Sequence, residues 1–236
     1  MAIVERRYHD GTYLCQNPDW DRQDSPWKAD LVRRLLNDFG IMPCSVCEVG
    51  CGTGDVLVNL KAHYPDVTFY GYDISPQVAQ FWKEHERHGI HFQQGDFFDL
   101  YRETYDVLML LDVIEHLSDP FTFLERLRDA AEHFVLHIPL DLSALSVLRE
   151  RPLMEVRAKV GHIHYYTKSL ALATVQECGF EVLSWRYSGA ALNSPGRTFK
   201  TRMAMLPRRL LYALHKDLGV RALGGETLLV LARAAR

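Results

Sequence analysis

No long hydrophobic run occurs in this chain of 236 residues. Its most apolar stretch, Val107 to Ile114, is broken by Asp112 and falls well short of a bilayer-spanning length, so no integral membrane segment is expected. Cysteine is sparse: five residues leave no even disulfide framework, and Cys44-x-x-Cys47 lacks the second pair that a structural zinc needs. Charge of one sign is missing too, with 27 bases against 30 acids and a net charge of −3. That balance gives no global pull towards nucleic acid or an anionic membrane. Repeats and low-complexity tracts are absent, and Met1 to Arg7 carries no signal-peptide pattern. With 47% hydrophobic residues, the chain is expected to be a cytoplasmic protein of one large α/β domain.

What is present is a glycine-rich turn, Cys47-Glu48-Val49-Gly50-Cys51-Gly52-Thr53-Gly54. A short apolar run ends in an acid, and three glycines then alternate before a helical pattern begins. Glycine lets the backbone turn sharply after a strand and lets a ligand lie against the main chain. The dinucleotide fingerprint G-x-G-x-x-G fails at its sixth position, where Asp55 would repel a pyrophosphate. A ligand without phosphates suits E-x-G-x-G-x-G better. Asp73 ends a second strand about 20 residues beyond, where an acid is placed to accept from ribose hydroxyls, and Ile74-Ser75-Pro76 opens the next helix. Gly95-Asp96-Phe97 closes a third segment, putting an acid and a ring where an adenine is suited to lie. A fourth, almost wholly apolar strand, Tyr105 to Leu111, runs into Asp112-Val113-Ile114-Glu115-His116-Leu117.

In this order, E-V-G-C-G-T-G, Y-G-Y-D-I-S, Q-G-D-F and Y-D-V-L-M-L-L-D-V-I-E-H-L resemble the class I S-adenosylmethionine-dependent methyltransferases, over roughly residues 44 to 185. The ubiquinone-biosynthesis type of the small-molecule branch is the nearest in pattern. The resemblance implies a Rossmann-like fold of seven mostly parallel strands with helices on both faces and lid insertions. It implies S-adenosylmethionine as cofactor, with Glu48 at its amino group, Gly50, Cys51, Gly52 and Gly54 giving main-chain access, and Asp73 and Ile74 at the ribose. Asp96 and Phe97 would flank the adenine, and Leu111, Asp112 and His116 would run along the methionine half. The expected reaction is methyl transfer to a small-molecule acceptor through an oxygen nucleophile. The alternatives are a binding module that holds the cofactor without turnover and a nicotinamide-dependent oxidoreductase, the latter disfavoured by Asp55. Nucleic acid is not an expected partner, and the N-P-P-Y-type motif of base-methylating enzymes is replaced by Asp112 to His116.

Strands and helices alternate along the chain: strands near 45–49, 68–73, 91–93, 105–111, 134–138, 180–185 and 227–232. Helices start at Ser25-Pro26, Asp55, Pro76, Asp119-Pro120 (with Phe121, Leu124 and Leu127 inward) and Thr167 or Ser169. Such alternation predicts a parallel sheet whose ligands lie beyond the carboxyl ends of its strands. Residues 1–40 form an N-terminal cap, 44–139 the cofactor-binding core, and 140–166 and 187–225 two acceptor-side insertions. The second insertion carries Arg197, Lys200, Arg202, Arg208, Arg209, Lys216 and Arg221 against Asp217 alone, with Leu210, Leu211, Leu214 and Leu218 on one side of a helix. A helix packed on the sheet edge is one reading; a flap for an anionic or lipid-linked acceptor is the other.

Histidine has the pKa of a general base, and His116, His162 and His164 fall on the acceptor side. His162 and His164 point the same way if their segment is extended. A divalent site at this pair lacks carboxylate partners nearby in the sequence, so no metal is expected. Trp27 or Lys28, fixed by the helix start at Ser25-Pro26, is expected at the methionine end of the cofactor.

Overall fold

Strand β4, Tyr105–Leu111, is buried on both faces. Leu108 and Leu110 enter one apolar cluster and Val107, Met109 and Leu111 the other, as a central parallel strand requires. The computed structural model describes residues 3–20, 22–85, 88–190 and 205–235. Around β4 lie β1 (Ser45–Val49), β2 (Thr68–Asp73), β3 (Ile90–Gln94), β5 (Ala131–Leu140), β6 (Phe180–Tyr187) and β7 (Glu226–Ala234). Their order is β3-β2-β1-β4-β5-β7-β6. The first five strands are parallel, and β7 inserts antiparallel between β5 and β6. Pairing on both sides extends β5 beyond the 134–138 read from the sequence.

The amino-terminal segment folds into two short helices, α1 (Arg6–His9) and α2 (Thr12–Gln16), where no periodicity was legible. On one face of the sheet lie α3 (Ser25–Asp38), α4 (Asp55–His63) and α5 (Ala79–His85), burying Val32, Leu35, Leu57, Leu60 and Trp82. The turn α6 (Phe97–Leu100) follows β3, with the Asp96 side chain accepting from the Phe98 N–H. Helix α7 (Pro120–Leu127) covers the other face and is capped by Asp119, which accepts from the Thr122 N–H. Leu124 and Leu127 point inward as expected, whereas Phe121 is exposed. The first insertion forms α8 (Ala144–Arg149) and α9 (Arg151–Lys159); Thr167 caps α10 (Lys168–Glu177).

The last helix, α11 (Met205–Leu223), is broken at His215. Its buried anchors are Tyr212 and Val220, while Leu214 and Leu218 face solvent, contrary to the expected apolar side. The break at His215 resets the helical phase, so a single 3.6-residue register does not run through. Asp217 binds Lys168 and Tyr187, and Lys216 lies 3.6 Å from the buried Glu226 carboxylate. These contacts seat α11 on the β6–β7 edge, the packed-helix reading. Arg197, Lys200 and Arg202, and the side chain of Leu210, lie outside the described residues.

Candidate active site

The strand order reverses between β1 and β4, which splays the two chain exits apart and opens a crevice at their carboxyl ends. Gly50 leaves β1 there and Asp112 leaves β4, both with positive φ, 75° and 58°. Two cavities of 220 and 360 Å3 meet at this point, sharing Tyr13, Trp20, Gly50, Asp112 and His116 as walls.

Asp73, Ile74, Asp96 and Phe97 line the smaller cavity. Asp73 is buried, and one carboxylate oxygen accepts from the Gly52 N–H and the other from the Ser75 N–H, both at 2.8 Å. Burial raises its pKa to about 6 against the pull of those two donors. Each oxygen keeps a further lone pair for a ligand hydroxyl. Phe97 is buried against Tyr72 and Tyr101 and lines the cavity. The acid and the ring thus stand at one mouth, as β2 and β3 are neighbours.

Glu48, Cys51 and Leu111 line the larger cavity with Trp27 and Lys28. Glu48 is 3% exposed and its Oε2 has no hydrogen-bond partner. Burial pushes its pKa up to about 8, with Lys28 opposing and Asp73 and Asp112 adding to the rise. A buried carboxylate oxygen without a donor is costly, and it fits a ligand that brings an ammonium or N–H. Lys28 Nζ reaches Asp112 at 2.8 Å, and His137 Nδ1 reaches it at 2.7 Å. Against burial, which raises it, His137 and Lys28 hold the Asp112 carboxyl far below the usual range. Asp112 is therefore a fixed anion that secures the start of α3 to β4 and β5.

The three candidate histidines part company. His116 lines both cavities, and burial with His162 beside it lowers its pKa to about 3, so its imidazole is neutral. His162 lines the larger cavity, its Nδ1 2.6 Å from Asp141 Oδ2. Nδ1 is thereby spent on Asp141, and Nε2 is the ring nitrogen left for other partners. His164 lines neither cavity, and its Nε2 is spent on the Leu117 carbonyl at 2.9 Å. The common direction expected of the pair fails because the segment is not a strand; the Ile163 and His164 amides both donate to the Glu115 carbonyl. Glu115, fully buried, places Oε1 3.8 Å from His116 Nε2 and 3.9 Å from His162 Nε2. This is the carboxylate the sequence did not place beside His162. Asp141 also escaped, since 21 residues separate it from its partner and no local spacing links them.

The glycines divide their labour. Gly50 lines both cavities, whereas Gly54 lines neither, and a Cβ on it would come within 2.5 Å of the Phe92 ring. Its need is close packing of α4 on the sheet rather than ligand access. Gly52 lines neither cavity either: its N–H goes to Asp73, its carbonyl accepts from Trp82 Nε1 at 2.9 Å, and Trp20 covers its Cα. Asp55 turns from the crevice to Arg22, with two contacts of 2.7 and 3.1 Å, tying the cap to the loop. Trp20 belongs to an aromatic chain with Tyr13 and Tyr8 that closes over His116. Trp20→Ala is expected to speed S-adenosylhomocysteine dissociation about tenfold in stopped-flow fluorescence, as a loss of one aromatic contact predicts. An unchanged rate would mean that the aromatic chain is not a lid.

Several solved structures share the fold. The plantazolicin methyltransferase BpumL, solved with a desmethyl-plantazolicin analogue and S-adenosylhomocysteine, superposes with a TM-score of 0.66 at 14% identity, covering 100% of this chain and 95% of its own. The magnesium protoporphyrin IX methyltransferase ChlM of Synechocystis, with bound S-adenosylhomocysteine, gives 0.59 at 16% identity over 89% and 83%. The [4+2]-cyclase SpnF gives 0.55 at 14% over 81% and 74%, so this fold also carries other chemistry. No curated protein sequence matches the chain significantly. Methyltransferases crystallised with S-adenosylhomocysteine are thus among the structures that share this fold. Residues 20–184 match the profile of the methyltransferase-domain family, and the chain belongs to that family.

Proposed function

We propose that the chain is a cytoplasmic enzyme that methylates an oxygen of a small, flat acceptor. Asp73 would hold the ribose hydroxyls, and Glu48 the amino group. Asp96 and Phe97 would take the adenine, and Gly50, Cys51 and Leu111 would lie along the remainder. Core residues 44–139 thus serve the cofactor, while the 1–40 cap and the 140–166 insertion close the acceptor side. When bound, S-adenosylmethionine supplies a methyl group already made electrophilic by its sulfonium. What remains for the protein is placement and the handling of the acceptor proton.

The observation that carries the acceptor assignment is the His162–Asp141 pair at the wall of the larger cavity. Its Nε2, the ring nitrogen not bonded to Asp141, lies beside Glu115 and His116 and is suited to meet a hydroxyl. Trp20, Trp27 and Tyr13 offer walls to a planar ring, in keeping with an aromatic acceptor of the ubiquinone type. For an anionic acceptor, Lys28, shared with Asp112, is the cation of that wall; of the α11 bases, Lys216 turns to Glu226 and Arg208 to the Leu223 carbonyl.

A panel of phenols, catechols, carboxylates and amines, assayed with radiolabelled cofactor, tests this. Transfer to phenolic or catecholic hydroxyls is expected. Asp141→Asn should lower kcat about 10- to 100-fold, the range for a lost orienting partner, with KM for the cofactor unchanged. Methylation confined to amines, or cofactor binding without turnover on any acceptor, would reject the oxygen assignment.

A further inference from the structure

The corner formed by Glu115, His116 and His162 holds two imidazole nitrogens and a carboxylate oxygen within 4.8 Å of one another. Glu115 is 0% exposed, and neither of its oxygens accepts a hydrogen bond. Methyl transfer as described does not use this carboxyl, and burial of such a group without donors is otherwise only a cost. Its nearest partners are the two histidine Nε2 atoms, at 3.8 and 3.9 Å. Two ligands each about 2.1 Å from one ion stand no more than about 4.2 Å apart. A tetrahedral arrangement sets such ligands about 3.4 Å apart, so rotamer adjustments that shorten these separations would seat an ion.

We propose that Glu115, His116 and His162 bind one divalent transition-metal cation, of the Zn2+ or Mn2+ class, at the wall of the acceptor cavity. The donor set of two imidazoles and one carboxylate selects such ions over magnesium or calcium, which prefer oxygen alone. Asp141 acts as a positioning residue: its 2.6 Å bond to His162 Nδ1 fixes the tautomer that offers Nε2, the carboxylate–histidine arrangement of metal sites. The three ligands leave coordination positions open, and His116 and His162 line the cavity, so those positions face an acceptor. The acceptor class follows: a hydroxyl, or two neighbouring hydroxyls, that can approach the ion.

This role rests on the methyl-transfer reading, with the bound ion taking the place of the His162 Nε2 as the group that meets the acceptor hydroxyl. The ion favours loss of the acceptor's O–H proton to solvent. The oxygen lone pair then forms the O–C bond as the C–S bond breaks, its electron pair stays on sulfur, and the sulfonium charge disappears.

The test uses tag-free full-length chain stripped with EDTA. Calorimetric titration with ZnCl2, and the visible spectrum with CoCl2, are expected to show one tight site with nitrogen ligation. His162→Ala and Glu115→Gln should each weaken Zn2+ binding at least 50-fold, and Asp141→Asn 10- to 100-fold. S-adenosylhomocysteine affinity, measured on the same variants, should stay within about twofold, and circular dichroism should be unchanged. Zn2+ binding to wild type that is absent, or no tighter than to His162→Ala, overturns the site. Loss of S-adenosylhomocysteine binding by metal-loaded wild type would instead strike the methyltransferase reading, so the two failures are distinguishable.

Discussion

Asp73→Asn should weaken S-adenosylhomocysteine binding about 100-fold in calorimetry, with the melting temperature nearly unchanged. The asparagine oxygen can keep one backbone donor, but its amide group cannot accept from a ribose hydroxyl. Two charge-assisted hydrogen bonds lost or weakened at about 1.5 kcal/mol each account for that factor. Stability changes little because two effects oppose one another: a backbone donor loses its acceptor, and a buried charge is removed. The same residue sets a pH dependence. Its pKa of about 6 means that the carboxylate becomes protonated as pH falls through 6, so affinity should decline over the same interval. Affinity constant from pH 5 to 7.5, or an Asn variant that binds normally, would remove Asp73 from the ribose.

Glu48→Gln should stabilise the ligand-free chain while damaging cofactor binding. The sign follows from burial. Its folded pKa, about 8, lies above the ordinary 4.5, so the folded state holds a proton that the unfolded state has lost. Stability therefore falls as pH rises from about 4.5 to about 8, and at pH 7 the cost is about 3 kcal/mol. Glutamine removes the ionisation but still buries an amide, so a net gain of about 1–2 kcal/mol, or a melting temperature higher by about 2–6 °C, is expected at pH 7.5. S-adenosylhomocysteine affinity should drop about 30-fold or more, since an ammonium would no longer meet an anion. Binding to wild type near pH 7 should release a proton, visible as a buffer-dependent enthalpy. A Gln variant with unchanged stability and affinity would show that Glu48 only supports the loop.

The readable parts of the site are those in which local spacing and chemistry coincide. Glu48, Gly50, Asp73, Asp96 and Phe97 each stand at a strand end, and the alternation of strands and helices is visible without knowledge of any contact. Lys28 could be placed near the site because Ser25-Pro26 marks the start of its helix. His164 could not be separated from His162 on paper, because equal spacing carries no record of which ring meets a carbonyl and which a carboxylate. Gly54 looked like its neighbours for the same reason: the demand that makes it glycine comes from Phe92, 38 positions away.

By itself, the chain's pattern of apolar runs, glycines and terminal acids determined the class of fold, the succession of strands and helices along the chain and the carboxylates that rim the crevice. Those properties depend on periods of two and 3.6 residues and on what a turn permits, all of which act over a few residues. Tertiary structure alone decided the antiparallel insertion of β7, the turning of Asp55 to Arg22, and the meeting of Glu115, His116, His162 and Asp141. Each is a long-range pairing of groups whose burial must be compensated by partners far away in the chain, and no local period encodes which partner that is.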